Sequence, residues 1–176
     1  MSQAKFGKID QIGIIVDDID KALESWMKRL GMGPWMLFRG AAVTGHCRGE
    51  ATRVTFDVAM GYQGDTQIEL MQITSDSPSP YRDSAGNLLF GMHHIAWVVP
   101  DLGQAMKTAE AEGLKLVFHA GNEGTQVAYF EMPDQPGMMY EFIESPATRE
   151  LMDAGIIATR NWDGSNPITE IDMTGA

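Results

Sequence analysis

The sequence predicts an α+β protein built from two tandem βαβββ modules that face each other across a metal-binding cleft. Three observations lead there. A segment that begins at Gln11 recurs from His94. Each copy continues as a capped helical stretch and then as runs with the alternation of half-buried strands. Four side chains able to hold a cation, Gln11, Glu69, His94 and Glu141, fall at matching positions of the two copies.

Taken in order, QIGIIVDDIDKA (Gln11 to Ala22) lies over HIAWVVPDLGQA (His94 to Ala105), sharing Ile12/Ile95, Val16/Val99, Asp18/Asp101 and Ala22/Ala105. The β-rich opening of each copy predicts a strand. Asp18 and Asp101 stand where a helix needs an N-cap, since a short carboxylate accepts from the free N–H groups of the first turn; the helices end near Gly31 and Gly113. Further strands are predicted at about 35–38, 52–59 and 66–73, and again at about 115–119, 126–131 and 138–143. The greater length of the first copy is assigned to a loop over 40–52. The Ser, Pro, Asp and Gly of TSDSPSPYRDSAGN (Thr74 to Asn87) mark the connection between modules. The domain is thus expected over 1–145, with modules at about 8–74 and 91–145 and a linker over 75–90, followed by an extension over 146–176. In that extension a short helix (Ala147 to Ile157) leads into a patternless tail expected to pack loosely or reach a neighbouring subunit.

Composition removes several classes of function. The net charge of −11, with no cluster of Lys or Arg, repels a phosphate backbone, so no nucleic-acid partner is expected. The longest apolar runs, Ile12 to Val16 and Ile95 to Val99, fall far short of the roughly 20 residues that cross a bilayer. A single cysteine, Cys47, excludes a disulfide framework, and the N-terminus lacks a secretory apolar segment, which makes the cytoplasm the expected compartment.

A helix covers only one face of a four-stranded sheet, so the opposite face of each module is expected to line a cleft. Side chains alternate along a strand. With Ile12, Ile14 and Val16 toward the helix, Gln11 turns to the cleft; with Ile95, Trp97 and Val99 toward the helix, His94 does the same. Glu69 alternates with Ile68 and Leu70, and Glu141 with Tyr140 and Phe142, so both carboxylates face the cleft. Any one of these residues alone is more often a solvated or satisfied polar group. Two carboxylates in otherwise apolar strands need a shared partner, and a divalent cation supplies it. His93, on this phase, lies on the helix-packed face and is read as structural.

These phrases together, QIGIIVDDIDKALESW with LGMGPW, QIEL, SPYRD, MHHIAWVVPDL and PGMMYEFIE, resemble the vicinal-oxygen-chelate superfamily over about Ile9 to Glu144. That superfamily includes glyoxalase I, methylmalonyl-CoA epimerase, extradiol dioxygenases and bleomycin-resistance proteins, and the resemblance implies the glyoxalase/bleomycin-resistance/dioxygenase fold. It also implies that the metal ligands are Gln11, Glu69, His94 and Glu141, a set like that of glyoxalase I. The epimerase has His at the first position and Gln at the second, whereas the wording of LGMGPW and SPYRD is nearer the epimerase branch.

Such a site suits one divalent Zn, Ni, Co or Mn ion. It would polarise a carbonyl while a carboxylate removes the adjacent C–H proton, with the enediolate charge held by the cation. By similarity to glyoxalase I, Glu141 is the base and Glu69 the second choice. Where glyoxalase I meets glutathione with Arg, Arg and Asn, this chain has Ile15, Phe90 and Ile73. With Met71, Met92, Met139 and Val98 they imply a small, largely apolar carbonyl substrate, and Arg82 is the candidate for an acidic group on it. The expected function is that of an isomerase, epimerase or lyase; a glyoxalase I-like lactoylglutathione lyase, an extradiol-type dioxygenase and a non-catalytic binding protein stay open. A homodimer is the expected assembly.

Overall fold

The computed structural model describes residues 4–175. Its elements run β1 (Gln11–Ile15), α1 (Ile19–Leu30), β2 (Trp35–Cys47), β3 (Glu50–Gln63), β4 (Thr66–Ile73), β5 (Gly91–Val98), α2 (Leu102–Ala111), β6 (Lys115–Gly121), β7 (Gln126–Met132), β8 (Gln135–Glu144), α3 (Thr148–Arg160) and β9 (Ile168–Asp172). The βαβββ order therefore occurs twice before the extension begins. Both caps form as their side-chain chemistry requires: Asp18 Oδ1 accepts from Lys21 N at 3.0 Å and Asp101 Oδ1 from Gln104 N at 2.8 Å. Gly31 ends α1 in the left-handed region, at φ 64°, where glycine carries no Cβ penalty.

The sheet order is β3-β4-β1-β5-β8-β7-β6-β2-β9, and β2 also pairs with β3, so the first eight of these strands close into a barrel-like ring. Alternation sorts the apolar side chains into three groups. Ile19 and Leu23 of α1 pack on Trp35, Ile68 and Leu70 of the sheet; Ala105 and Ala109 of α2 pack on Phe130, Tyr140 and Phe142. A third group, including Ile15, Met71, Tyr81, Ala96, Phe118 and Ile143, fills the interior between the modules. The strand phases read from the sequence thus hold for β1, β4 and β8.

Three expectations are corrected. Residues 40–52 are not a loop: they lengthen β2 and β3 into one hairpin that turns at Arg48 and Gly49, and Thr44–Cys47 pair with β6 to close the ring. The extension does not pack loosely, because β9 joins β2 in parallel, from Trp35↔Ile168 to Arg39↔Asp172, while α3 lies against β3. His93 is not on the helix-packed face. The register of β1 against β5 slips between Gly13↔His94 and Ile14↔Met92, so His93 is the extra residue of a bulge and its ring turns inward with that of His94. Among the described residues no helix is long and apolar enough to cross a membrane.

Candidate metal centre

Four adjacent strands, β4, β1, β5 and β8, carry the candidate ligands into the interior. Gln11, Glu69, His94 and Glu141 are all buried, and His94 has no exposed surface. His94 Nε2 lies 3.3 Å from Gln11 Oε1 and 3.2 Å from both Glu69 Oε2 and Glu141 Oε2. Gly13 makes room for this arrangement, since a Cβ there would fall inside the His94 ring.

Hydrogen bonding behind the site fixes what His94 presents. His93 Nε2 donates to Pro80 O at 2.9 Å. Burial, with the charge of His94 adding to it and the Pro80 contact opposing, drops the His93 pKa to about 4, so His93 is neutral near pH 7 and its Nδ1 is an acceptor. The Nδ1 nitrogens of His93 and His94 are 3.1 Å apart, so the His94 proton sits on Nδ1 and donates backward. Its Nε2, the nitrogen that would ligate a cation once its proton is displaced, then faces one amide oxygen and two carboxylates. Burial works against a charged His94, but Glu141 and then Glu69 outweigh it and hold its pKa above the ordinary value. Burial likewise pushes the Glu141 carboxyl up; His94 pulls it back and Glu69 adds to the rise.

A convergence of lone pairs like this calls for a cation. Glu141 Oε2 is buried without a hydrogen-bond partner, although His94 Nε2 is near. Tetrahedral metal bonds of about 2.0–2.2 Å place neighbouring donors roughly 3.3–3.6 Å apart, so the 3.2–3.3 Å separations of Gln11 Oε1, Glu69 and Glu141 from His94 Nε2 need little change. Among the described residues no three His, Cys, Asp or Glu side chains stand ready-spaced around an ion. The fit therefore rests on donor chemistry, the orphaned Glu141 oxygen and the fourth donor, Gln11.

Gln11, Glu69 and Glu141 form the floor of a cavity of about 280 Å³. Met71, Phe38, Phe56 and Tyr129 wall it, and Leu151, Met152 and Met173 of the extension stand at it. Ile15, Ile73 and Val98 belong to the surrounding apolar interior. Met92, Met139 and Arg82 instead line a second cavity, of about 730 Å³, together with His93. There the Arg82 Nη atoms donate to Gly86 O and Ser75 O, both at 2.8 Å, and to Asp76 at 3.1 Å, which ties down the linker.

Sequence reasoning missed Gln67, His93, Tyr81 and Tyr129. Gln67 was within reach, because it precedes Glu69 by two positions and so shares its face. Tyr81 donates to Tyr129 at 3.1 Å, and burial, with Glu141 adding, raises both phenols well above their ordinary value, so they remain proton donors beside the carboxylates. Nothing in their sequence positions signals this, since they come from the linker and from the second module.

Residues 10–129 match the family described as Glyoxalase/Bleomycin resistance protein/Dioxygenase superfamily. No curated protein matches the chain. A hypothetical protein from Bacillus halodurans, solved by crystallography, is 25% identical with a TM-score of 0.55, over 78% of this chain and 94% of that one. The crystal structure of methylmalonyl-CoA epimerase from Mycobacterium tuberculosis is 19% identical with a TM-score of 0.54, over 86% of this chain and 96% of that one, a likeness of fold.

Proposed function

The chain belongs to the glyoxalase/bleomycin resistance protein/dioxygenase superfamily, and from that premise we propose that it is a metal-dependent isomerase, epimerase or lyase that removes a proton beside a carbonyl. The observation that carries this reading is Glu141: a buried carboxylate oxygen without a hydrogen-bond partner, 3.2 Å from His94 Nε2. Gln11, Glu69, His94 and Glu141 would hold one Zn, Ni, Co or Mn ion, which would polarise the substrate carbonyl and offset the charge growing on its oxygen. Glu141 would take the proton from the α-carbon as the C–H electron pair becomes a C=C bond and the carbonyl π pair moves to oxygen, and it would return the proton to the same or the adjoining carbon. Glu69 is the second carboxylate able to do this, and Tyr129, which has a hydrogen-bonding contact with Glu141, supports its anionic form.

The walls favour a small, largely apolar substrate, because Met71, Phe38 and Phe56 offer no charge to it. Glutathione is disfavoured: Ile15 and Ile73 are buried and apolar, and Phe90 stands on the second cavity. An extradiol site needs two histidines and a carboxylate, but Gln11 fills the first position and the second imidazole, His93, turns its nitrogens to His94 and Pro80. The methylmalonyl-CoA epimerase that shares this fold is a precedent for such a scaffold, no more. The proposed assembly is a homodimer, for which Leu89, Phe90 and Met92 supply an exposed apolar run that sedimentation of variants at these positions would probe.

Metal analysis of the protein, followed by incubation of 2-substituted carbonyl compounds and thioesters in D₂O under nitrogen, tests the reading. One divalent ion per chain and deuterium at the α-carbon are expected. No uptake of Zn, Ni, Co or Mn would remove the metal site, and strict dependence on O₂ with an oxygenated product would replace the isomerase by a dioxygenase.

A further inference from the structure

A buried chain of polar groups runs from the C-terminal extension to the candidate ligand Gln11. At its outer end is Gly155, inside α3, where a Cβ would fall within the ring of Tyr62. Glycine is a poor residue for a helix interior, so its presence here answers to that close approach. The Tyr62 hydroxyl accepts from Gln67 Nε2 at 2.7 Å, and Gln67 Oε1 accepts from Gln11 Nε2, also at 2.7 Å. With its nitrogen engaged there, and 3.4 Å from Glu69 Oε1, Gln11 turns its oxygen to His94 Nε2. A second tie holds the same strand: Arg149 of α3 grips Asp10, the residue before Gln11, through contacts of 2.8 and 3.1 Å.

Two amides in series have two self-consistent polarities, because the amide oxygen and nitrogen can exchange places. In the reversed chain Tyr62 would donate to Gln67, Gln67 would donate to Gln11, and Gln11 would present an NH₂ group that cannot ligate a cation. What Tyr62 does with its hydroxyl therefore decides what Gln11 offers at the far end. We propose that Tyr62, seated on Gly155 of α3, is a positioning residue that keeps the Gln11 amide oxygen turned to the metal position, so that the C-terminal extension sets metal affinity. The proposal rests on the reading of Gln11 as a ligand.

The test is a cycle of full-length proteins titrated with Co(II) and Zn(II): wild type, Tyr62→Phe, Gln67→Glu and the double variant, with thermal melts to confirm folding. Tyr62→Phe should weaken binding by about 10- to 100-fold, the range for groups that orient a ligand, and should alter the visible spectrum of bound Co(II). A carboxylate at position 67 can only accept, so it enforces the Gln11 polarity by itself. In the Gln67→Glu background, which also controls for the added charge, loss of the Tyr62 hydroxyl should cost less than about 3-fold. Equal binding by wild type and Tyr62→Phe, or the same loss in both backgrounds, overturns the proposal. If wild type takes up neither ion, the metal reading itself fails, and the side-chain amide resonances of Gln11 in the metal-free proteins decide the relay: displaced by Tyr62→Phe they support it, unmoved they overturn it.

Discussion

At position 13 a hydrogen in place of a side chain is what lets the His94 imidazole reach the centre of the site. Gly13→Ala is expected to push that ring aside and to weaken metal binding by about 10-fold or more, measured by chelator competition, because a ligand displaced by a fraction of a bond length no longer meets the ion. His93 acts one step further out. Its Nδ1 receives the His94 proton, so His93→Ala should lower metal affinity by about 10- to 100-fold. Proton competition gives a sign that can be checked. His94 and Glu141 both hold protons more tightly in the metal-free fold than they do as isolated side chains. The stability they lend that fold is present at low pH and is lost as pH rises through their raised values. An ion must displace those protons, so its affinity, and its effect on stability, should grow between about pH 5.5 and pH 8; a flat profile would sink the assignment.

At the scale of elements, α3 is anchored through the Arg149–Asp10 pair. Asp10 is buried and also accepts from Val98 N at 3.0 Å, which joins β1 to β5 beside the site. Burial works against its charge, yet the Arg149 contact and the Val98 hydrogen bond outweigh it and lower its pKa. The pair therefore stabilises the fold above the ordinary carboxylate pKa and loses that effect as pH falls through the lowered one. Arg149→Ala should cost about 1–2 kcal/mol near neutrality, discounted because Arg149 is half exposed, and should move acid unfolding to higher pH in circular dichroism. The helices α1 and α2 were legible because cap and periodicity are local. The bulge at His93 was not, since its cause lies in the register against β1 across the ring. Nor was β9, whose Ile-Thr-Glu-Ile-Asp run puts its two isoleucines on opposite faces and is a strand only through its pairing with β2.

For the whole molecule, closure of the ring through β2 and β6 places the ligand strands around one enclosed space. The net charge of −11 draws cations toward it, so association with the ion should slow as ionic strength rises. Any ligand that binds only the folded state adds stability by mass action, about 2.7 kcal/mol at 100 times Kd. For a chain of this length that is a rise in Tm of roughly 5–10 °C. Scanning calorimetry with and without Zn(II) should show this increment, and it should vanish in Glu69→Ala. An unchanged Tm at saturating Zn, Ni, Co and Mn would argue against a built site.

The internal repeat, the caps at Asp18 and Asp101 and the inward phase of Gln11, Glu69 and Glu141 are properties of the sequence by itself, because each depends on residues a few positions apart and on the fixed periods of strand and helix. Tertiary structure alone decided how His93 and His94 divide their roles, since a one-residue bulge reverses the side a residue faces. It also decided that the extension folds back on β2 and β3, with Gly155 against Tyr62, and that Arg82 braces the linker. For the bulge and the extension the partner lies tens of residues away in the chain, and for Arg82 it is backbone carbonyl oxygens of the linker, which no side-chain pattern marks.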